Sequence, residues 1–228
     1  MTPIAITANL YSGFVASDPW SPAIDGILAY WHIREQLGEA EFSIRSGRND
    51  LMEPVSDLPL EIVRHEDLWW YAGSSPIYTQ QAEVRRYLHR RFDQAHAEKY
   101  LPDGVRKIQV QAGPYKNARM AAMHHITDRV TWHVIGDQPA IEHLLARCSH
   151  VGAKVGAGFG RVRRWSYAEG DPEIARHWRP LPVAYALEQQ LDGDVMDWGI
   201  RPPGRLAINT VSCVMPKKMS ESMLTGVT

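Results

Sequence analysis

The most informative part of this chain is the stretch Val151-Gly152-Ala153-Lys154-Val155-Gly156-Ala157-Gly158-Phe159-Gly160-Arg161-Val162-Arg163-Arg164-Trp165. Four glycines fall within nine residues, with one lysine among them and three arginines after them. Glycine accepts positive φ and lets backbone N–H groups approach a bound phosphate. The cationic side chains supply the opposite charge. The stretch therefore predicts an anion-binding loop.

The segments on either side of the loop decide which kind of anion site it forms. Residues 138–149 have the apolar spacing of a helix, and Arg161–Tyr167 has the pattern of a strand. Dinucleotide and P-loop sites have the reverse order, in which a strand leads into the glycines and a helix follows. The spacing Gly156-x-Gly158-x-Gly160 is therefore not a Rossmann signal, and we expect no nucleotide cofactor.

Two strand–helix units flank the central part of the chain. The first has alternating apolar residues over 4–10 and a helical pattern over 24–37. The second has a strand over 128–135, a helix, the glycine loop and the strand Arg161–Tyr167. The order β-α-β…β-α-β predicts an α+β fold of the ferredoxin-like (RRM-like) type with insertions. Ser21 is expected to cap the first helix with Pro22 at its start, Gly38 to end it, and Asp137 to cap the second helix.

The connecting segments give weaker patterns. We expect residues 39–65 to be irregular with at most one short strand, and residues 79–100 to be helical. Short strands are expected at Leu68–Ala72 and Lys107–Ala112, with a turn at Pro102-Asp103-Gly104 between 100 and 107. This predicts a domain over 1–170 with a basic insertion around 74–105. A C-terminal extension over 171–228 would contain a late strand within Leu206–Met215 and a mobile tail from Lys217.

The composition excludes several classes of protein. The chain has 228 residues and a formal net charge of −1, which does not fit a protein that coats DNA through overall positive charge. Its two cysteines have no CxxC spacing, so a disulfide framework or zinc ribbon is not expected. The N-terminus lacks a signal-peptide pattern and no apolar run suits a membrane helix. We therefore expect a cytoplasmic protein with no metal site and no membrane partner.

Positive charge is concentrated in a few stretches. On a helix, Arg86 and Arg90 of the run Arg85–Arg91 would line one side together with His89. A second stretch, Tyr115–Arg119, carries Lys116 and Arg119 in a loop. The candidate RNA-binding residues are Lys154, Gly156, Gly158, Phe159, Gly160, Arg161, Arg163, Arg85, Arg86, Arg90, Lys116 and Arg119.

Each of these features also has a structural alternative. The glycine loop can be a helix C-cap followed by a tight turn, and the arginine runs can be solvated surface. Alternation on a strand would put Arg161 and Arg163 on one face and Arg164 on the other. His124-His125, with Tyr115 and Lys116, is the pattern closest to a metal-independent ribonuclease site, although paired histidines are often structural.

The loop Gly152-x-Lys154-x-x-x-Gly158-Phe159-Gly160-x-Val162 resembles that of the RAMP superfamily of CRISPR proteins, RNA-binding proteins with ferredoxin-like folds. The N-terminal runs Ser17-Asp18-Pro19 and Asp25–Tyr30 resemble one branch of it, the subunit that caps the 5′ handle of the guide RNA in type IV effector complexes. The turn Arg201-Pro202-Pro203 also fits that branch.

This resemblance implies a noncatalytic subunit that binds guide RNA and docks beside the backbone and large subunits of a ribonucleoprotein, with target DNA as an indirect partner. It also implies an inserted thumb, for which the Arg85–Arg91 stretch is the candidate. The alternatives are a guide-processing endoribonuclease on the same fold, which would use His124 or His125, and an unrelated α+β protein with a structural glycine turn.

Overall fold

The computed structural model describes residues 1–48, 53–100, 111 and 116–217. Within this part of the chain, six helices and small antiparallel sheets form an α+β architecture. The strands are β1 (Thr2–Leu10), β2 (Phe14–Val15), β3 (Ile62–His65), β4 (Leu68–Tyr71), β5 (Ala82–Arg90), β6 (Ala118–Ile126), β7 (Arg129–Gly136), β8 (Val162–Glu169), β9 (Leu181–Pro182), β10 (Val195–Gly199) and β11 (Thr210–Val214). The helices are α1 (Ile24–Leu37), α2 (Glu39–Arg48), α3 (Gln94–Ala97), α4 (Gln138–Leu145), α5 (Pro172–His177) and α6 (Val183–Glu188).

The central sheet has the strand order β7-β1-β8, with both pairs antiparallel. Ile6 of β1 lies between Trp132 of β7 and Tyr167 of β8, so the alternating apolar side chains of the three strands share one face. That face forms the main core with α1 and α4, through residues such as Leu28 and Ile141. The three predicted strands of this sheet and the two predicted helices are therefore confirmed, although α4 ends at Leu145 rather than at residue 149.

The helix ends show which local signals hold. Gly38 follows α1 with a φ of 74°, and the Asp137 carboxylate accepts a hydrogen bond from the Ala140 N–H at 3.4 Å, as expected for its cap. The prediction for Ser21 is wrong, because α1 begins at Ile24 after the extended Ala23. In place of a cap from Ser21, the Asp25 carboxylate accepts a hydrogen bond from the Gly26 N–H, one of the first-turn amides that have no partner within the helix backbone.

The middle of the chain differs most from expectation. Residues 39–48 form α2 rather than an irregular segment, whereas β3 and β4 form the expected short strands as a hairpin. The helix predicted over residues 79–100 is wrong over most of its length, because β5 is a strand paired along its whole length with β6. We call this pair of strands, β5 and β6, the basic ribbon.

Some predicted features lie outside the described residues. These are the turn Pro102-Asp103-Gly104, the strand Lys107–Ala112 apart from Gln111, and the tail beyond Lys217. No helix in the described ranges is long and apolar enough to cross a membrane.

The C-terminal extension is more ordered than its sequence suggested. Strand β11 lies within the predicted Leu206–Met215 and is the middle strand of a sheet with the order β10-β11-β9. Its core contains Leu181, Cys213 and Met215 and includes Trp70 from β4. The extension therefore shares a core with the β3–β4 hairpin.

Candidate nucleic-acid interface

The neck of the glycine loop is closed by backbone hydrogen bonds. Val151 N–H donates to the Gly160 carbonyl at 2.8 Å, and Val162 N–H donates to the Ser149 carbonyl at 2.8 Å. Gly160 has a φ of +72°, and a Cβ at this position would lie 1.8 Å from the Val151 carbonyl oxygen. Gly160 is therefore required by the shape of the neck.

Both ends of the loop are attached to residues 13–15, which include β2. Ala153 N–H donates to the Val15 carbonyl at 2.8 Å, and Gly160 N–H donates to the Gly13 carbonyl at 3.0 Å. Gly152 allows this approach, because a Cβ there would lie 2.6 Å from the Val15 carbonyl oxygen. Two of the four glycines thus fix the base of the loop on the protein.

The tip of the loop is held only by short-range backbone hydrogen bonds, in which the Ala157 and Gly158 N–H groups donate to the Lys154 and Val155 carbonyls at 2.9 Å. A short 3-10 turn over Val155–Ala157 leads into Gly158. Gly156 and Gly158 are exposed, and within the described part of the chain no atom lies within 4 Å of the place of a Cβ on either. Lys154 precedes the turn in the left-handed region with a φ of 60°, and its side chain is exposed. At Gly156 and Gly158 the tip is therefore backbone bare of side chains, and it lies beside the exposed Lys154 side chain, a combination that anion-binding loops use.

The three arginines after the loop are all exposed. The guanidinium of Arg161 lies 5.1 Å from the centre of the exposed Tyr11 ring. The expected alternation of Arg163 and Arg164 is wrong, because the register between β1 and β8 shifts there: Asn9 pairs with Arg164 while the next residue pairs with Val162. Arg163 is the extra residue of this bulge, which breaks the period of two.

Phe159 points toward the protein rather than only into solvent. Its ring is half-buried and lies 4.9 Å, centre to centre, from the ring of His124 in β6. His124 is buried, and neither ring nitrogen has a hydrogen-bond partner in the described part of the chain. The loop and the root of the basic ribbon are therefore in direct contact.

The two faces of the basic ribbon differ in chemistry. Val84 pairs with His124, so Arg86 and Arg90 lie on the face that continues toward the glycine loop. Arg85 lies on the opposite face, as does Arg119, whose guanidinium sits 3.8 Å from the centre of the Tyr87 ring. The helical grouping of Arg86 and Arg90 with His89 is wrong, because His89 lies on the face of Tyr87.

Arg90 and Lys116, two of the predicted RNA-binding residues, contact each other at the end of the ribbon that is far from the glycine loop. The Arg90 guanidinium donates to the Lys116 carbonyl at 2.9 and 3.0 Å. The Lys116 side chain is exposed just before β6 begins. These two residues are brought together, but they lie at the opposite end of the ribbon from the glycine loop.

The residues of the ribonuclease hypothesis do not converge. His124 and His125 are neighbours on β6 and point to opposite faces, and His125 lies 3.3 Å from the Gln80 side-chain oxygen. Lys116 precedes β6, whose first residue, Ala118, is about 20 Å from His124 at the rise of an extended strand. Tyr115 is outside the described residues.

Burial shifts the pKa of two titratable groups near the loop. Burial raises the pKa of the Tyr78 phenol, whose ring contacts Phe14 and His125, to about 12. Burial also raises the pKa of the Cys148 thiol, before the loop. In the described residues, no group of three or more His, Cys, Asp or Glu side chains is placed to hold a metal. The chemistry that this site offers is charge, bare backbone and aromatic surface.

A buried polar network lies under α1, and the sequence gives no sign of it. The Arg179 guanidinium pairs with the Asp25 carboxylate at 3.2 Å and donates to the Ile200 carbonyl at 2.7 Å. Arg201 is buried beside it and donates to the Asn209 side chain at 2.7 Å. Two residues of the quoted runs, Asp25 and Arg201, are therefore structural, and no local pattern indicates their partners.

The fold and site define an α+β protein with an exposed cationic glycine loop between a helix and a strand of its central sheet. Over residues 2–204 the chain matches the family model of CRISPR type IV associated protein Csf3. The chain belongs to this family, and Csf3 is a Cas5-like RAMP subunit of type IV complexes. No curated protein matches the chain. Membership in the family overturns the alternative of an unrelated α+β protein.

Proposed function

We propose that this chain is a noncatalytic subunit of a type IV CRISPR effector complex that binds the 5′ handle of the guide RNA and caps that end of the ribonucleoprotein. The observation that carries the proposal is the bare tip of the glycine loop between Lys154 and Arg161, in a chain of the Csf3 family. Phosphate contacts of this kind position an RNA strand without reading its sequence.

We also propose that the central unit is ferredoxin-like. The antiparallel order β7-β1-β8 is that of three neighbouring strands of such a fold, with α1 and α4 packed in one core with them. Isolated antiparallel bridges join β7 to Leu60, Gly73 and Ile77, at the edge where a fourth strand is expected. Insertions in that edge would account for its irregular form.

The basic ribbon is the element that best fits an inserted thumb. It is a long two-stranded extension whose root contacts the glycine loop through His124 and Phe159. Its exposed cations would extend the phosphate track away from the loop. The backbone and large subunits of the complex would then bind other surfaces, and target DNA would meet this chain only through the guide.

The salt dependence of RNA binding tests the role of the loop cations. Each single-strand phosphate that a cation neutralises adds about −0.7 to the slope of log K against log salt. Replacing Lys154 and Arg161 together by alanine should therefore make the slope less steep by about 1.4. Replacing Arg205 and Lys217, a matched exposed pair in the C-terminal extension, should leave it unchanged. An unchanged slope in the loop variant would contradict the proposal.

Incubation with repeat RNA in the presence of EDTA separates the proposal from the endoribonuclease alternative. We expect the RNA to remain intact, because the candidate catalytic side chains lie at separate places on the ribbon. Site-specific cleavage that disappears in His124→Ala or His125→Ala would support the enzyme instead.

A further inference from the structure

A groove adjoins the glycine loop. It has a volume of about 540 Å³ and lies between α1 and the segment that leads into the loop. Gly152 and Val155 line it from the loop side, so the groove and the proposed phosphate site are continuous. Its volume lies within the range of about 300–1,000 Å³ that is usual for sites of small organic groups.

The wall that α1 contributes is aromatic. Tyr30 and Trp31 line the groove, with ring centres 5.2 Å apart in an edge-to-face arrangement. The Arg34 guanidinium lies 4.9 Å from the centre of the Trp31 ring and forms an ion pair with Glu39. Tyr30 is 46% exposed, which leaves part of an aromatic surface open to a planar ligand.

The opposite wall supplies polar groups. Ser149 and His150 line this side, and the Ser149 hydroxyl lies 2.9 Å from Nδ1 of His150. Both groups can donate or accept hydrogen bonds. The groove therefore combines an aromatic face with a hydrogen-bonding edge, which are the two features that sites for unpaired nucleobases use.

Gly26 on α1 is an independent indication of a ligand. It lines the groove, its backbone is helical, and a Cβ at this position would meet no atom of the described residues within 4 Å. Packing within the protein therefore does not explain glycine, which is a poor helix former, at this position. Close approach of another molecule to the helix does explain it.

We propose that this groove binds one unstacked nucleobase of the RNA strand whose phosphate contacts the glycine loop. The proposal rests on the proposed function and adds a base-binding site to it. A base held there would stack against Tyr30, approach the helix at Gly26 and present its edge to Ser149 and His150. A protein side chain is the alternative occupant, and it would not depend on RNA.

Abasic RNA tests the proposal directly. The probe is a single-stranded RNA of about eight nucleotides, together with derivatives that each lack one base. We expect the wild-type protein to lose about tenfold in affinity at one position, because stacking of one base contributes roughly that factor. Tyr30→Ala should bind the intact RNA about tenfold more weakly and lose this position dependence, whereas Tyr30→Phe should retain it.

Gly26→Leu separates occlusion of the groove from loss of folding. Position 26 is exposed, and a Cβ there meets no atom of the described residues within 4 Å. Leucine is also a better helix former than glycine, so Tm should stay the same or rise by about 2 °C, whereas RNA affinity should fall about tenfold. The salt slope should not change, because no phosphate contact is lost. Ala184→Leu, at an exposed position of α6, is the matched control and should change neither property.

The outcomes distinguish the two proposals. RNA binding by the wild type with no effect of any abasic position, or with full affinity in Gly26→Leu, would overturn the base site and leave the proposed function standing. Failure of the wild type to bind RNA would overturn both. Loss of binding to a protein subunit by Gly26→Leu, with RNA affinity intact, would assign the groove to a protein and overturn the base site.

Discussion

Single glycines decide what the loop can do. Gly160 and Gly152 lie where a side chain would collide with backbone carbonyls, whereas Gly156 has open space and no positive φ. The sequence shows all of them in one run and cannot separate the two roles, because the carbonyls that they approach belong to Val151 and Val15. Long-range contacts, rather than residue type, assign each glycine its role.

Alanine at position 160 should therefore lower stability, whereas alanine at position 156 should weaken RNA binding and leave stability nearly unchanged. Gly160→Ala should lower the free energy of unfolding by more than about 2 kcal/mol, through a left-handed backbone and a collision with the Val151 carbonyl. Gly156→Ala should stay within about 0.5 kcal/mol of the wild type and weaken RNA binding about threefold, because its methyl group separates phosphate from the backbone. Urea denaturation and RNA titration measure both, and equal destabilisation by the two variants would contradict this division.

His133 should make the stability of the fold depend on pH. It is buried in β7, and its Nδ1 accepts a hydrogen bond from the Asp171 N–H at 2.9 Å. Burial lowers the pKa of His133 below its usual value, and the nearby Asp171 carboxylate opposes this in part. The unfolded chain, in which the pKa is about 6.5, then binds the proton more readily, so this contribution is complete above pH 6.5 and is lost as the pH falls below it.

The measurement compares unfolding free energies of the wild type and His133→Asn between pH 7.5 and about pH 5.5. The wild type should lose stability relative to the variant by up to about 1.4 kcal/mol per pH unit below pH 6.5. His89→Asn, on an exposed residue of β5, should keep the wild-type slope. Parallel curves for wild type and His133→Asn would show that this histidine is not responsible.

At the scale of elements, the sequence predicts the helices and strands whose apolar residues recur with only one possible spacing. Strands β1 and β7 alternate cleanly, and α4 carries both a cap and a helical stripe. In β5, Val84 and Leu88 are four residues apart, a spacing that keeps two side chains on one face of a helix and of a strand alike. Pairing with β6 decides between them, and that information lies more than thirty residues away.

The strand geometry of β5 predicts different roles for two adjacent arginines. Arg86 lies on the face of His124, toward the glycine loop, and Arg85 lies on the opposite face. Arg86→Gln should therefore reduce the salt slope of RNA binding by about 0.7, more than Arg85→Gln does. Both side chains are exposed, so neither change should alter Tm. Equal effects of the two substitutions would place RNA on both faces of the ribbon.

At the scale of the whole molecule, the pair formed by Asp25 and Arg179 joins α1 to the C-terminal extension. Both side chains are buried, and Arg179 also donates to the carbonyls of Gly73 and Ile200. The sequence separation of 154 residues explains why no local pattern revealed this contact. The irregular extension predicted from the sequence thus closes over the N-terminal helix.

Loss of one partner of this pair should destabilise the whole chain. Asp25→Ala leaves a buried guanidinium without its carboxylate, so the free energy of unfolding should fall by about 3–5 kcal/mol. The double variant Asp25→Leu with Arg179→Met removes both charges and should lose less than Asp25→Ala alone. Chemical denaturation followed by tryptophan fluorescence gives both unfolding free energies. A double variant that is less stable than Asp25→Ala would refute this account.

The central position of β1 determines when the central sheet can form during synthesis. Ile6 pairs with Trp132 and Tyr167, which follow it by 126 and 161 positions. At about 5–20 residues per second, a ribosome needs roughly 8–32 s to deliver the second neighbour after making the first strand. Until then β1 has an edge with no strand beside it, and slower synthesis prolongs the time in which that edge can pair with another chain.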